Sequence, residues 1–315
     1  MADHNVFHEG EVAIHERLGL AESMREKGGS MISGDTSLAL QVFYHLQTFV
    51  FVGSIGRDGF PWASILCGQP GFMRSMNAKT LQIDARLPEG DPINDNIAVH
   101  SPLGTLAMEF DNRLRRGRIN GVVEAREGSR VRLAVSQAYG NCSKYIQQRR
   151  AEASCSASPA LLSRRAVLSA GQMERIARAD TFFLSSYHLD DRSKPSHGVD
   201  VSHRGGAAGF VAVDDEAEIV FPDYRGNMAF NSLGNILKTP RAGLLFMDFT
   251  SGGTLQLTGE ATLDWESPRL NDFPGASCLV RIKVREVVEL ADAFPYRWSY
   301  VKASPSNPKP ELEPG

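Results

Sequence analysis

Cysteine is scarce in this chain. Cys67, Cys142, Cys155 and Cys278 are spread over 315 residues, and none forms a C-x-x-C pair. That spacing leaves zinc-ribbon and dithiol-redox motifs without support. Free thiols in a reducing cytoplasm are the simplest expectation. Long apolar runs are also missing, and nothing approaches the ~18 consecutive residues of a membrane helix. Neither sign of charge dominates: 34 Lys and Arg stand against 37 Asp and Glu, a net charge of −3. That balance gives no electrostatic reason to expect nucleic acid or an anionic membrane as partner. The arginine clusters (Arg113, Arg115, Arg116 and Arg118; Arg149 and Arg150; Arg164 and Arg165) read as solvated faces or loops. The opening MADHNVFHEGEVAIHERLGL has no apolar core behind a basic start, so no secretory signal is expected. His8, His15, His45, His100, His188 and His197 show no ligand spacing, and no metal is expected.

What the chain does contain is a repeat. ASILCGQPGF (Ala63 to Phe72) is echoed 138 residues later by VSHRGGAAGF (Val201 to Phe210). Leu81-Gln82-Ile83 aligns with Ile219-Val220-Phe221, Pro102 with Pro240, Gly121 with Gly259, and AMEF (Ala107 to Phe110) with LFMDF (Leu245 to Phe249). The period is too long for a solenoid, whose repeats run roughly 20–50 residues. It implies a duplicated domain. The copies differ at one point that bears on chemistry: Ser202-His203-Arg204 stands where the first copy has Ser64-Ile65-Leu66.

Short segments such as TFVFVGSIG, TLQIDARL, TFFLSSYH and CLVRIKVREVVELA are rich in β-branched and aromatic residues. Gly, Pro, Asn and Asp separate them. The expected fold is mainly β (α+β): two tandem six-stranded antiparallel split barrels with flanking helices, packed as a pseudo-dimer. The expected division is 1–151 for N-terminal helices plus a degenerate copy, 152–169 for a linker, 170–303 for the second copy and 304–315 for a disordered tail. Asp35 is placed as a helix cap, with Leu38, Val42 and Leu46 at helical spacing behind it. Ala134 to Arg150 reads as a helix or a pair of helical turns.

The candidate chemistry lies in copy two. Ser202, His203 and Arg204 fall on a strand that runs into Gly205-Gly206. FPDYRGNMAFNSLGN (Phe221 to Asn235) then leaves a strand and enters a helix, placing Asn231 and Ser232 at its N-terminus. Exposed N–H groups there, with hydroxyl and amide donors, make an anion site. Arg204 and Arg225 supply the charge that a phosphate needs. Read singly, Asn231 and Ser232 also suit plain capping, and the glycines a bulge.

VSHRGGAAGF, IVFPDYRGNMAFNSLGNILKTPRAGLLFMDF and LQLTGEA together resemble the pyridoxamine 5′-phosphate oxidase-like, FMN-binding split-barrel superfamily. Lys238-Thr239-Pro240-Arg241 with Leu244-Leu245-Phe246 matches its N-P-R-x-x-L-L-F pattern. YGNCSKYIQ (Tyr139 to Gln147, with Ser143 where proline is usual) and FHEGE (Phe7 to Glu11) are similar to its two-copy flavin-nucleotide-binding branch. The resemblance implies FMN as cofactor, held by Ser202, His203, Arg204, Gly205, Asp223, Arg225, Asn231, Ser232, Asn235, Asp248 and Trp298. It implies an oxidoreductase acting on a small organic substrate with O2 or NAD(P)H as redox partner, in a cytoplasmic protein, as a homodimer. His203 and Trp298 are the candidates for a catalytic role. Asn231-Ser232 departs from the Arg-Lys pair of the oxidases, so phosphate binding is expected to lean on Arg204, Arg225 and backbone N–H groups. The alternative is a non-catalytic flavin- or haem-binding protein for storage, sensing or haem utilisation.

Overall fold

A computed structural model describes residues 6–153, 158–191 and 193–308. Three helices open the chain: α1 (Glu9–Arg17), α2 (Ala21–Met31) and α3 (Leu38–His45). The first sheet follows, with β1 (Phe49–Ile55), β2 (Pro61–Cys67), β3 (Met73–Asn77), β4 (Thr80–Asp84), the short α4 (Ile93–Asn96), β5 (Pro102–Met108), β6 (Arg116–Glu127) and β7 (Arg130–Asn141). Two connecting strands are β8 (Gln148–Ala153) and β9 (Ala160–Arg165), and α5 (Ala170–Ala177) leads into the second half. There β10 (Thr181–His188), β11 (Gly198–Gly205), β12 (Ala212–Val213), β13 (Glu218–Tyr224), α6 (Asn231–Lys238), β14 (Arg241–Met247), β15 (Thr254–Asp264) and β16 (Ala276–Ala291) follow, and β17 (Tyr296–Lys302) closes the series.

The two halves share one strand order. It is β2-β1-β5-β6-β7-β4-β3 in the first and β11-β10-β14-β15-β16-β13-β12 in the second, antiparallel throughout. Even the irregularities repeat. A register shift falls between Asn120 and Gly121 in β6, and another between Thr258 and Gly259 in β15. A Cβ on Gly121 would lie 2.0 Å from the Ala134 carbonyl oxygen, and one on Gly259 2.1 Å from that of Lys283. Glycine recurs here because the neighbouring strand's backbone occupies the space of a side chain.

Several expectations are corrected. The sheets have seven and eight strands rather than six, and among the described residues no strand pair closes either into a barrel. Most of the stretch expected to be helical, Ala134 to Arg150, is strand. Val131, Leu133 and Val135 are buried at alternate positions, the period of a strand with one face inward. Part of the expected linker is ordered: β9 pairs with β16, making the eighth strand, and β8 pairs with β17. Positions 154–157, with Cys155, lie outside the described residues. Ser37, not Asp35, caps α3, and Leu38, Val42 and Leu46 are exposed while Phe43 and Tyr44 are buried. The tail from Ser304 to 308 is tied down, since the Ser304 N–H donates to Gln147 Oε1 at 2.9 Å. Positions 309–315 lie outside the described residues.

Each half has its own apolar core, and a third cluster joins them. Phe51 and Phe183, at matching places in β1 and β10, stack on each other with centroids 3.4 Å apart. A Cβ on Gly104 would strike the Val199 carbonyl, and one on the matching Gly243 would strike Pro61, which matches Val199. Reciprocal contacts of this kind define a self-complementary interface around a pseudo-two-fold axis. Full burial of each Phe contributes roughly 1.5–3 kcal/mol. α1 docks on α6 of the second half. A Cβ on Gly10 would lie 2.3 Å from the Gly234 oxygen, so the pair of glycines sets how closely the helices approach.

Candidate functional site

A cleft opens where the halves meet. Its first wall is β11, whose Ser202, His203, Arg204 and Gly205 line it. Asp223 and Tyr224 at the end of β13, and Asn231 and Ser232 at the start of α6, form a second side. The first half supplies Arg116 and Arg118 from β6, with Cys142 and Tyr145 just beyond β7. These arginines were read as solvated. In the fold Arg113 and Arg115 are exposed, whereas Arg116 is half-buried and Arg118 is buried. The period-two spacing of Arg116, Arg118 and Asn120 was the available signal. It puts all three on one strand face, and the face is buried only because the other half covers it.

Arg118 is committed on three sides. Its Nε donates to the Val201 carbonyl at 2.9 Å, Nη1 to the Tyr139 hydroxyl at 3.1 Å and Nη2 to Ser202 Oγ. Burial opposes its charge, but Tyr139 and Asp200 outweigh that and raise its pKa. Ser202 Oγ also meets Ser232 Oγ at 2.7 Å. Arg116 donates to the carbonyls of Cys142 and Lys144 and from Nη1 to His203 Nδ1 at 3.0 Å. Burial lowers the Arg116 pKa to about 10, and the Arg118 and Arg204 guanidiniums add to the effect. His203 is held neutral: burial drives its pKa well down, and Arg116, Arg149 and Arg204 push the same way. With Nδ1 accepting from Arg116, its proton sits on Nε2, a buried donor without a partner among the described residues.

Arg204 plays a different part from the one expected. Its guanidinium is paired with Asp223, at side-chain exposures of 18% and 5%. Burial raises the Asp223 pKa against the pull of Arg204. The pair leaves Arg204 little charge to offer a ligand. Among the described residues no carboxylate lies within ion-pair distance of Arg116 or Arg118; Asp200 still favours the Arg118 charge through Tyr139, which leaves Arg116 as the less compensated of the two. At the α6 N-terminus Phe230 sits at φ 56°, and no side chain caps the first turn.

Ser202, His203, Arg204, Gly205, Asp223, Asn231 and Ser232 are thus brought together as expected, and four other candidates are not. Arg225 is exposed, and among the described residues only its carbonyl is engaged, by Tyr145 Oη at 3.1 Å and Lys144 Nζ at 3.4 Å. Asn235 is buried below the cleft, bonded to Asp200, Ser186 and His8. Asp248 caps its own hairpin by accepting from the N–H groups of Thr250 and Ser251. Trp298 is buried among Phe49, Phe110, Phe249 and Phe294. Its motif lies in β17, which pairs with β8 behind the core instead of covering the cleft.

The pseudo-two-fold axis generates a second position for such a cleft, and there the chemistry is different. Gln256 matches Arg118 and reaches across in the same way, donating to the Ala63 carbonyl, Ser64 Oγ and Asp91 Oδ2 at 2.9, 3.1 and 3.1 Å. Thr254 matches Arg116, and Ile65 and Leu66 match His203 and Arg204. At these matching positions there is no cation among the described residues, and Arg164 acts on the site only from outside them. A buried carboxyl, Asp91, bonded to Ser64 Oγ at 2.6 Å, fills the second position.

No protein-family model matches the chain, and no curated protein matches it. Among solved structures it is similar to pyridoxamine 5′-phosphate oxidase-like and FMN-binding split-barrel proteins, each over about two-fifths of its length. One is a putative pyridoxamine 5′-phosphate oxidase from Lactobacillus delbrueckii, at 15% identity over 40% of this chain and 97% of that one, with a TM-score of 0.31. A second is an FMN-binding protein from Syntrophomonas wolfei, at 13% identity over 37% and 84%, with a TM-score of 0.27. A third is HupZ from Group A Streptococcus, at 9% identity over 38% and 90%, with a TM-score of 0.29. Scores this low carry no weight for function.

Proposed function

We propose that the cleft binds the phosphate of a flavin mononucleotide and that the protein is an FMN-dependent oxidoreductase acting on a small organic substrate. One observation carries the reading: Arg116 faces the cleft bonded only to neutral acceptors, and a half-buried cation without a counter-charge is costly. A phosphate supplies the missing charge, and paired guanidiniums suit its geometry. The donor set fits that group further through the unpartnered N–H of His203 and the open first turn of α6. The cleft's volume of about 100 Å³ suits a phosphate. It is well below the ~300–1,000 Å³ of pockets that engulf a whole ligand.

When bound, the flavin supplies the electron chemistry. This chain's residues bind and orient: Arg116 and Arg118 neutralise the phosphate, Ser202 and Ser232 fix its register, and neutral His203 donates a hydrogen bond. Tyr145 and Tyr224, stacked with centroids 5.5 Å apart, wall the side near Asp223. Cytoplasmic placement belongs to the same proposal. Among the described residues no helix is long and apolar enough to cross a membrane.

Titration with FMN and with riboflavin tests the reading. FMN is expected to bind much more tightly, because riboflavin lacks the phosphate. Equal affinities would remove the phosphate from the account. Flavin absorbance that bleaches with NAD(P)H and returns with O2 supports the enzyme, and flavin bands without turnover support a binding protein. A Soret band after haem addition, without flavin affinity, replaces FMN with haem.

A further inference from the structure

Away from the cleft, His8 from the start of the chain and His188 and His197 from one hairpin come together around one glutamate. His8 caps α1 and Glu9 follows it; His188 ends β10, and His197 precedes β11. The imidazole centroids are 4.8 Å (His8–His188), 4.5 Å (His188–His197) and 5.9 Å (His8–His197) apart. Their side chains are 1%, 1% and 2% exposed in chain order, while Glu9 is 47% exposed and forms the mouth. Glu9 Oε1 lies 2.9 Å from His188 Nε2, and Glu9 Oε2 lies 3.7 Å from His197 Nε2. His188 Nδ1 and His197 Nε2 are buried polar atoms with no hydrogen-bond partner among the described residues. The reading that the histidines form no set is corrected here: spacing along the chain carries no trace of a cluster that the fold assembles from the first helix and a hairpin in the middle of the chain.

The geometry points to a site for a divalent transition-metal ion held by Glu9, His188 and His197. Imidazole and carboxylate donors suit zinc, cobalt or nickel rather than calcium or magnesium. The ligand atoms that already lie within 4.8 Å of one another are those of His8, Glu9 and His188; His197 stands outside that set and joins by turning toward Glu9, whose Oε2 is 3.7 Å from its Nε2. Bonds of about 2.0–2.2 Å to each ligand then require the His188 and His197 rings to turn toward Glu9. His8 serves as the wall. Its Nδ1 accepts from the Gly10 N–H at 3.0 Å and its Nε2 donates to Asn235 Oδ1 at 3.0 Å, so neither nitrogen is free. Asp190, whose Oδ2 is 3.7 Å from His188 Nε2, or water takes the fourth position.

The changes on binding are specific. Lys238 Nζ, 3.5 Å from Glu9 Oε1, gives up that contact to the ion. His188 carries its proton on the vacant Nδ1. His197 shifts its proton to Nδ1 and releases the N–H of Asp191, now 3.0 Å away in an exposed turn. The bound ion then fastens the start of α1 to the β10–β11 hairpin, a staple that leaves the cleft's residues untouched.

The test uses the full chain stripped with a chelator and reloaded with Zn2+ or Co2+ alone. One ion per chain is expected, with the visible d–d absorption of four-coordinate Co2+ and a raised melting temperature. Glu9→Gln, at the exposed mouth and so compatible with folding, and His197→Ala are each expected to weaken Zn2+ binding by at least the ~10- to 100-fold that loss of an outer-shell partner costs. Exposed His45→Ala is expected to change nothing. Absence of the Co2+ band in folded wild type, or an affinity unchanged in Glu9→Gln, overturns the proposal.

Discussion

Replacing Arg116 separates ligand binding from stability more cleanly than any other change in the cleft. In the free protein Arg116 is one of three guanidiniums gathered there, and burial, with its neighbours Arg118 and Arg204 adding to it, already depresses its pKa. Arg116→Gln removes the like-charge crowding and keeps an amide that can donate to the Cys142 carbonyl. The lost bonds, net roughly 0.5–1.5 kcal/mol each, and the relieved repulsion oppose each other. The expected net loss is about 1 kcal/mol or less, a shift of a few degrees at most in a chain of this size. Phosphate binding has no such compensation. One charge-assisted hydrogen bond contributes about 1.5–3 kcal/mol, which at ~1.4 kcal/mol per decade lowers FMN affinity on the order of 10- to 100-fold. Riboflavin affinity is expected to hold. Parallel calorimetric titrations with both flavins, and a melt of the unliganded protein, give all three quantities. A variant that melts far lower yet binds FMN as well as wild type would mean that Arg116 is an anchor for residues 142–144 and that the phosphate lies elsewhere.

Arg204→Ala leaves Asp223 buried and unpaired, so chemical denaturation is expected to show a loss of about 3–5 kcal/mol; a stable variant with weakened FMN binding would restore Arg204 to the phosphate. Gly121→Ala and Gly259→Ala each push a methyl group into a backbone oxygen and are expected to cost more than about 1 kcal/mol apiece by the same measurement; a neutral effect at either would show that its bulge can relax. Asp91 has its pKa raised from 3.8 to about 6 by burial, against the bonds from Ser64, Ile93 and Gln256. The folded state therefore holds that proton more tightly than the unfolded chain, and the associated stability is present below about pH 4 and lost as pH rises through 6. Relative to wild type, Asp91→Asn is expected to gain about 3 kcal/mol between those limits, read as the difference between two curves of stability against pH; parallel curves would show that Asp91 titrates normally.

The duplication was legible because it rests on backbone constraints. Gly121 and Gly259 mark a close approach that no side chain permits, and they survive where the surrounding sequence has drifted. The β11 and α6 candidates were legible for a similar reason, since a strand that ends in glycines and a helix start rich in amide and hydroxyl groups are local features. What stayed hidden depends on the partner half. Arg116 and Arg118 look like any exposed arginines until β11 lies across them. Trp298 was assigned by its position in a motif, and only the pairing of β17 with β8 shows which way it faces. The run from Ala134 to Arg150 lost its period-two signal where Ser136 and Gln137 interrupt the alternation near the β6–β7 bulge, and so it was read as helical.

The unlike pair of clefts has a bearing on how such a chain evolves. In a homodimer every substitution is written twice, so neither of two equivalent sites can be altered alone. Joining the protomers into one polypeptide lifts that constraint, because position 256 can drift to glutamine while position 118 keeps its arginine. A lineage with the joined chain is free to abandon one site and turn the vacated surface to stabilising the other.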